Sequence, residues 1–138
     1  MNGFEVLEHA ADLGFLAYGA TREDTLEQAV AALLSIAVDP DAIAERGHLD
    51  AQVSGDDLNG LLVNVLEEVL FLFDSNAFAP SRAEVTLATD STARIRLFGE
   101  PRDPVRHRWR LIVKAITYHR LAFTQDARGW QARVFVDV

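Results

Sequence analysis

Two acidic residues far apart in the sequence are the first candidates for chemistry. Asp12 lies in the segment His9-Ala10-Ala11-Asp12-Leu13-Gly14, and Asp137 stands one position before Val138, where the chain ends. Residues 133–136 are typical of a strand, so we expect Asp137 to be held in a sheet. If Asp12 lies beside it, the two carboxylates and the Val138 terminus form an oxygen-rich site for a hard divalent cation. The alternative is that both acids are solvated residues at strand ends.

Lys114 and two histidines are the next candidates. The chain has twelve arginines but one lysine, which lies in the apolar stretch Leu111–Ile116 and is a compact charge with a tunable pKa. His9 and His119 are each either a metal ligand or proton carrier, or a half-buried side chain bonded to backbone. Strand alternation predicts that Lys114 and His119 point to opposite faces unless a bulge or turn intervenes.

Several kinds of site are absent from the sequence. The chain has no cysteine, no histidines at zinc-ligand spacing, no glycine-rich phosphate loop and no serine in a nucleophile-elbow context. His48 and His107 lie in polar surroundings, so we expect them to be solvated. The aromatic residues are expected in the core rather than on a base-stacking platform, namely Phe71, Phe73, Trp109 and Trp130.

The composition is that of a globular protein. Of 138 residues, 49% are apolar and 25% charged, which is enough for one substantial core in a single domain, residues 1–138. No apolar run approaches the roughly 18 residues needed to cross a bilayer, and no basic region followed by an apolar stretch begins the chain. We therefore expect a cytoplasmic protein that makes no membrane contact.

Charge is distributed unevenly along the chain. The net charge is −8, with 17 acidic and 3 basic residues before position 91, and 4 acidic and 10 basic residues from there on. An overall acidic chain is not expected to bind nucleic acid tightly and directly. The basic part could contact an acidic partner or a phosphate, or simply be solvated.

Two amphipathic patterns predict helices. The first begins at Thr21, a helix-capping residue, and its apolar positions recur at helical spacing until Asp39-Pro40. The second is capped by Asp56 or Asp57 and carries the most apolar stripe of the chain, from Leu58 to Phe73. It is expected to be the central element.

The remaining segments predict strands. Residues 4–7 and 13–19 are expected to flank a turn at 9–14, in which Gly14 permits tight bending. Further strands are predicted at 49–53, 83–88, 93–98, 110–117, 120–125 and 130–137, with a loop at 99–104 and a hairpin joining the last two strands. The sequence thus predicts an α+β fold in which two main helices pack on a largely antiparallel β-sheet.

Five segments, in order and spanning essentially the whole chain, resemble the archease family. They are His9-Ala10-Ala11-Asp12-Leu13-Gly14, Ser54-Gly55-Asp56-Asp57-Leu58, Gly99-Glu100-Pro101 with Asp103-Pro104, Lys114-Ala115-Ile116-Thr117-Tyr118-His119, and Val136-Asp137-Val138. Archeases are non-catalytic protein cofactors of the GTP-dependent tRNA-splicing RNA ligase. The resemblance implies that this chain promotes guanylylation and multiple turnover of that ligase without sealing RNA itself.

The resemblance also implies roles for particular residues. Asp12 and Asp137 match the family's metal-binding carboxylates, with Val138 adding backbone or terminal oxygens for Ca²⁺ or Mg²⁺. Lys114 matches a lysine important for activation, and His9 and His119 are expected near the partner or in activation.

Two other hypotheses remain open at this stage. One is a chaperone-like interaction module for RNA-processing enzymes, such as a tRNA methyltransferase, that needs no metal. The other is a small metal-dependent hydrolase that uses Asp12, Asp137 and His119 as ligands or base.

Overall fold

The computed structural model describes residues 1–9 and 12–138. The described residues form two helices, eight strands and a short 3₁₀ turn at Pro40–Ala42. In chain order the helices and strands are β1 (Gly3–His9), β2 (Asp12–Gly19), α1 (Arg22–Ala37), β3 (Gly47–Ser54), α2 (Leu58–Asp74), β4 (Ala79–Thr89), β5 (Thr92–Glu100), β6 (Ala115–Ile116), β7 (Ala122–Asp126) and β8 (Gly129–Asp137).

The strands form two sheets rather than the single sheet that the sequence pattern suggests. One sheet has the order β1-β2-β8-β6, with β7 also paired to β8, and the other has the order β3-β5-β4. Every strand pairing is antiparallel. Helix α1 packs on both sheets, contacting β2 and β4, and α2 packs against α1 and the strands beside it. The α+β prediction of two helices on antiparallel sheet is confirmed.

Helix α2 supplies much of the core. Its fully buried side chains include Leu61, Leu62, Val65 and Leu66, which recur at helical spacing. Thr21 caps α1 by accepting the Asp24 N–H, as expected from the sequence. In the described part of the chain, neither helix is long and apolar enough to span a membrane.

Asp57, and not Asp56, is the residue that caps α2. Its Oδ1 accepts the Gly60 N–H at 2.7 Å, which satisfies one of the free amides of the first turn. We expect Asp57→Ala to lower the free energy of unfolding by about 1 kcal/mol, because the cap bond is lost. Urea unfolding measures this, with Asp56→Ala as the matched control. Equal losses in the two variants would contradict the assignment.

The strand expected at 110–117 is wrong over most of its length, since only Ala115–Ile116 pairs in a sheet. The preceding segment is held across the helix ends instead. The Arg110 and Leu111 amides both donate to the Ala37 carbonyl, and Trp109 packs edge-on against Phe73 at a centroid distance of 4.8 Å. Trp109 and Val113 therefore pack against the core, whereas Leu111 and Ile112 are exposed, and the segment does not extend β6.

A buried Glu100–His107 pair anchors this long connection. Glu100 Oε2 accepts the Ala44 N–H and lies 2.9 Å from His107 Nε2, and Arg46 and Arg106 pair with the other oxygen. His107 Nδ1 accepts the Asp103 N–H, which places the ring proton on Nε2. The expectation that His107 is solvated is wrong, because the ring is buried between the Asp103 amide and the Glu100 carboxylate.

The Glu100 carboxylate should make stability depend on pH. The Ala44 hydrogen bond, aided by His107 and Arg106, holds its pKa at about 2, below the ordinary 4.5. A folded-state pKa below the unfolded one contributes stability above pH 4.5, and this contribution is lost as pH falls towards 2. We expect Glu100→Gln to be less stable than the parent at pH 7, with the gap closing below pH 4.5. Urea unfolding at pH 7, 5 and 3 tests this, and a gap independent of pH would contradict it.

Candidate metal and partner site

Asp12 and Asp137 lie side by side at one corner of the five-stranded sheet. Leu13 pairs with Val136, so Asp12 at the start of β2 and Asp137 at the end of β8 flank that pair on the same side. Since side chains alternate along a strand, both acids point to the face opposite the core. On the other edge of β8, Asp137 pairs with Ala115. The register thus brings together two carboxylates that are 125 positions apart in the sequence.

A bulge connects β6 to β7 along the same edge of β8, with three residues more than the facing part of β8. Ile116 pairs with Val136 and Ala122 with Arg133, so residues 117–121 lie opposite only residues 134 and 135. Both the N–H and the Oγ1 of Thr117 donate to the Phe135 carbonyl. The chain then folds back through Arg120, whose φ of 54° is left-handed. The bulge lies between Lys114 and His119 and interrupts the alternation of side chains along the strand. The expectation that these two side chains point to opposite faces held only without such an interruption.

The bulge carries His119 to Asp12. The ring of His119 packs edge-on against Phe135, with centroids 5.6 Å apart, and its Nε2 lies 3.4 Å from Asp12 Oδ2. Both side chains remain about half-exposed, so solvent weakens the attraction between them. His119 is therefore next to the candidate site, as a neighbour of Asp12.

Gly14 makes room for the ring on which His119 rests. It lies within β2, directly opposite Phe135, and not in a tight turn as expected from the sequence. A Cβ at Gly14 would lie 2.2 Å from the Val134 carbonyl oxygen and 2.8 Å from Phe135 Cδ1. Sequence reasoning missed Phe135 and this role of Gly14. A glycine inside an apolar strand pattern, which often marks close approach of a neighbour, was the available signal.

The other candidate residues surround this corner. The Lys114 N–H donates to the Asp137 carbonyl at 2.8 Å, and its side chain is exposed. Val138 follows Asp137 and is half-exposed. The His9 backbone pairs with Asp12, whereas the side chain of His9 lies outside the described structure. The expected turn at 9–14 includes residues 10 and 11, which also lie outside the described residues.

The donor set at this corner suits a hard cation. Carboxylate oxygens are the ligands that Ca²⁺ and Mg²⁺ prefer, and both ions can fill further positions with backbone oxygens and water. Among the side chains that the structure describes, no three His, Asp or Glu groups come together closely enough to hold a metal. Asp12, Asp137 and His119 are thus not grouped as three metal ligands in the part of the chain that the structure describes. An ion here would be held by the Asp12 and Asp137 carboxylates, with backbone oxygens and water as its further ligands.

The chain is thus an α+β protein with two helices packed on two antiparallel sheets. It carries a solvent-facing carboxylate pair at a corner of one sheet. Residues 4–138 match the model of the Archease protein family (MTH1598/TM1083), and the chain is a member of the archease family. It is 34% identical to the Protein archease of Methanosarcina mazei, covering 98% of this chain and 95% of that one. It is 33% identical to that of Pyrococcus furiosus, with both chains covered fully.

Solved structures agree on the fold. The solution structure of protein 1598 from Methanobacterium thermoautotrophicum is similar with a TM-score of 0.75 and 25% identity, covering 99% of both chains. The crystal structure of an archease from Thermotoga maritima, described as a possible chaperone, has a TM-score of 0.66 and 19% identity. The match covers 97% of this chain and 96% of the Thermotoga maritima chain. The sequence-based resemblance is therefore confirmed.

Proposed function

We propose that this protein is a non-catalytic activator of the GTP-dependent tRNA-splicing RNA ligase, and that it acts through a divalent cation held by Asp12 and Asp137. The observation that carries the proposal is the pairing of β2 with β8, which places these two carboxylates on one exposed face. Membership of the archease family makes the ligase the partner to test first.

The chemistry follows from the residues at the corner. Asp12 and Asp137 would hold the cation, with an oxygen of Val138 and water completing its coordination, and the cation would offset phosphate charge in the ligase's nucleotide pocket. Because the pair lies at the end of two strands and is exposed, a partner can approach it directly. Lys114, one residue before β6, would add a positive charge at the same contact.

The decisive experiment is multiple-turnover RNA ligation by the cognate ligase, with GTP and metal. The ligase is assayed alone and with substoichiometric amounts of this protein. We expect a large rise in turnover, together with faster formation of the guanylylated ligase. No rise, with the ligase active and this protein folded, would overturn the proposal and favour an interaction module that needs no metal.

Lys114 should matter through its charge. We expect Lys114→Gln to reduce ligase stimulation on the order of 10-fold, the loss typical of one charge-assisted contact. Lys114→Arg should retain more of the activity than Lys114→Gln, since it keeps the charge but not the compact ammonium. Stimulation assays at saturating metal measure both, with Arg128→Gln as the control at a distant exposed cation. Full stimulation by Lys114→Gln would contradict this role.

A further inference from the structure

An exposed face of α2 meets the β6–β7 bulge at Tyr118 and has no cover in the described structure. Two adjoining grooves, of about 480 and 450 Å³, share Ser54 and Asn64. The side-chain amide of Asn64 donates to the Ser54 carbonyl at 2.7 Å, which ties β3 to α2 at the point where the grooves meet. We call this region the α2 surface, defined by Asp56, Asp57, Asn64, Glu68, Phe71 and Tyr118.

The α2 surface displays two exposed aromatic rings. Phe71 is 64% and Tyr118 65% exposed, whereas the other Phe, Tyr and Trp side chains that the structure describes are buried or half-buried. The prediction that Phe71 lies in the core is therefore wrong, because this position of α2 faces solvent. Phe71 lies two helical turns, roughly 10 Å, from Asn64, and Tyr118 lines the groove on the other side of Asn64. Exposed aromatic rings of this kind are common anchors in protein interfaces.

The charged side chains of the α2 surface are all acidic. Asp56, Asp57, Glu67 and Glu68 line the two grooves, and no arginine or lysine is among the described residues that line them. Such a surface repels the phosphates of RNA and attracts a basic protein segment. Arginine fits both features, because its guanidinium can pair with a carboxylate and stack on an aromatic face.

The α2 surface is joined to the candidate metal corner by the backbone. Tyr118 belongs to the same bulge as His119, whose ring contacts Asp12. Glu67 on α2 accepts the Ile116 N–H at 3.1 Å, which holds β6 against the helix. A partner that contacts Tyr118 and Phe71 is thereby oriented with respect to Asp12 and Asp137.

We propose that the α2 surface docks an arginine- or lysine-rich segment of the ligase, with Phe71 and Tyr118 as its anchors. This inference rests on the proposed function and specifies the part of the chain that binds the partner. The corner with Asp12 and Asp137 acts on the partner, and the α2 surface supplies affinity and orientation.

Two variants test the docking surface without touching the metal corner. Phe71→Ser removes an exposed ring, and Glu68→Lys reverses one charge. Val105→Ser is the matched control for an exposed apolar side chain, since Val105 is 73% exposed and lines neither groove, and Asp41→Lys is the control for the charge. The readouts are the Kd for the isolated ligase, its dependence on NaCl, and Ca²⁺ affinity by calorimetry.

We expect Phe71→Ser and Glu68→Lys each to raise the Kd for the ligase about 10-fold or more. Ca²⁺ affinity and the two control variants should be unchanged. Binding by the parent should weaken as NaCl rises, whereas Glu68→Lys should show a shallower dependence.

Unchanged Kd values in both variants, while the parent still binds and stimulates the ligase, would overturn the docking surface alone. Failure of the parent to bind or stimulate the ligase would overturn the proposed function itself. RNA binding by the parent that is lost in Phe71→Ser would also overturn the proposal, since the occupant would then be a nucleic acid.

Discussion

Asp137→Asn is expected to abolish most of the ligase stimulation while leaving the protein folded. The substitution removes one of the two carboxylates that face solvent at the sheet corner, and an amide oxygen is a neutral, weaker ligand for a hard cation. Loss of even an outer contact to a metal ligand costs 10–100-fold in affinity, so loss of a ligand should weaken Ca²⁺ or Mg²⁺ binding by at least about 100-fold. Asp12→Asn should have a similar effect.

Stability separates this loss from simple unfolding. Asp137 is exposed and its side chain has no hydrogen bond among the described contacts, so the free energy of unfolding should change by no more than about 0.5 kcal/mol. Metal affinity is measured by calorimetry and stimulation by multiple-turnover ligation. Glu8→Gln is the matched control, because Glu8 pairs with Leu13 and so lies on the other face of the same sheet. Stimulation by Asp137→Asn equal to that by Glu8→Gln would rule out a role for the carboxylate pair.

Gly14→Ala is expected to destabilise the protein by about 3 kcal/mol, at the upper end of what overpacking costs. The new Cβ would collide with the Val134 carbonyl oxygen and the Phe135 ring, and also lie 3.0 Å from Phe135 Cα. Two of these atoms are backbone of β8, so relief requires β2 and β8 to separate. The same movement would displace the ring that supports His119.

The control for Gly14→Ala is a glycine in open space. Nothing lies within 4 Å of a Cβ built on Gly47, so Gly47→Ala should be neutral or stabilise the protein by up to about 1 kcal/mol. Urea unfolding compares the two variants, and the imidazole resonances of His119 report on its contact with Phe135. Similar stability of the two variants would show that β2 and β8 tolerate a side chain at position 14.

The helices and their boundaries could be predicted from the sequence because they depend on local interactions. Thr21 caps α1 through an amide three residues away, and the apolar period of α2 follows from one buried face. The β7–β8 hairpin is similarly local, since a short polar turn joins two strand patterns. Asp57 rather than Asp56 caps α2, a choice between neighbours that the sequence pattern leaves open.

Other features could not be predicted, because they depend on contacts that only the folded chain creates. Phe135 and Gly14 are 121 positions apart, and only their pairing shows that the glycine accommodates a ring. His107 is only seven positions from Glu100, but it is buried because the loop folds back and brings the carboxylate to its ring. Neither contact leaves a periodic signal, because each involves single side chains that meet through strand register or loop folding.

What the sequence by itself determined about this protein is its family, its two helices, its hairpins and its candidate carboxylates. Each of these follows from residue order and from hydrogen bonds or apolar periods within a few positions. The tertiary structure alone decided that the strands divide into two sheets, that a bulge brings His119 to Asp12, and that Asp12 and Asp137 share one face. A single residue of register shift would turn one of these carboxylates to the core, because side chains alternate along a strand. Such register is set by the packing of all the strands together.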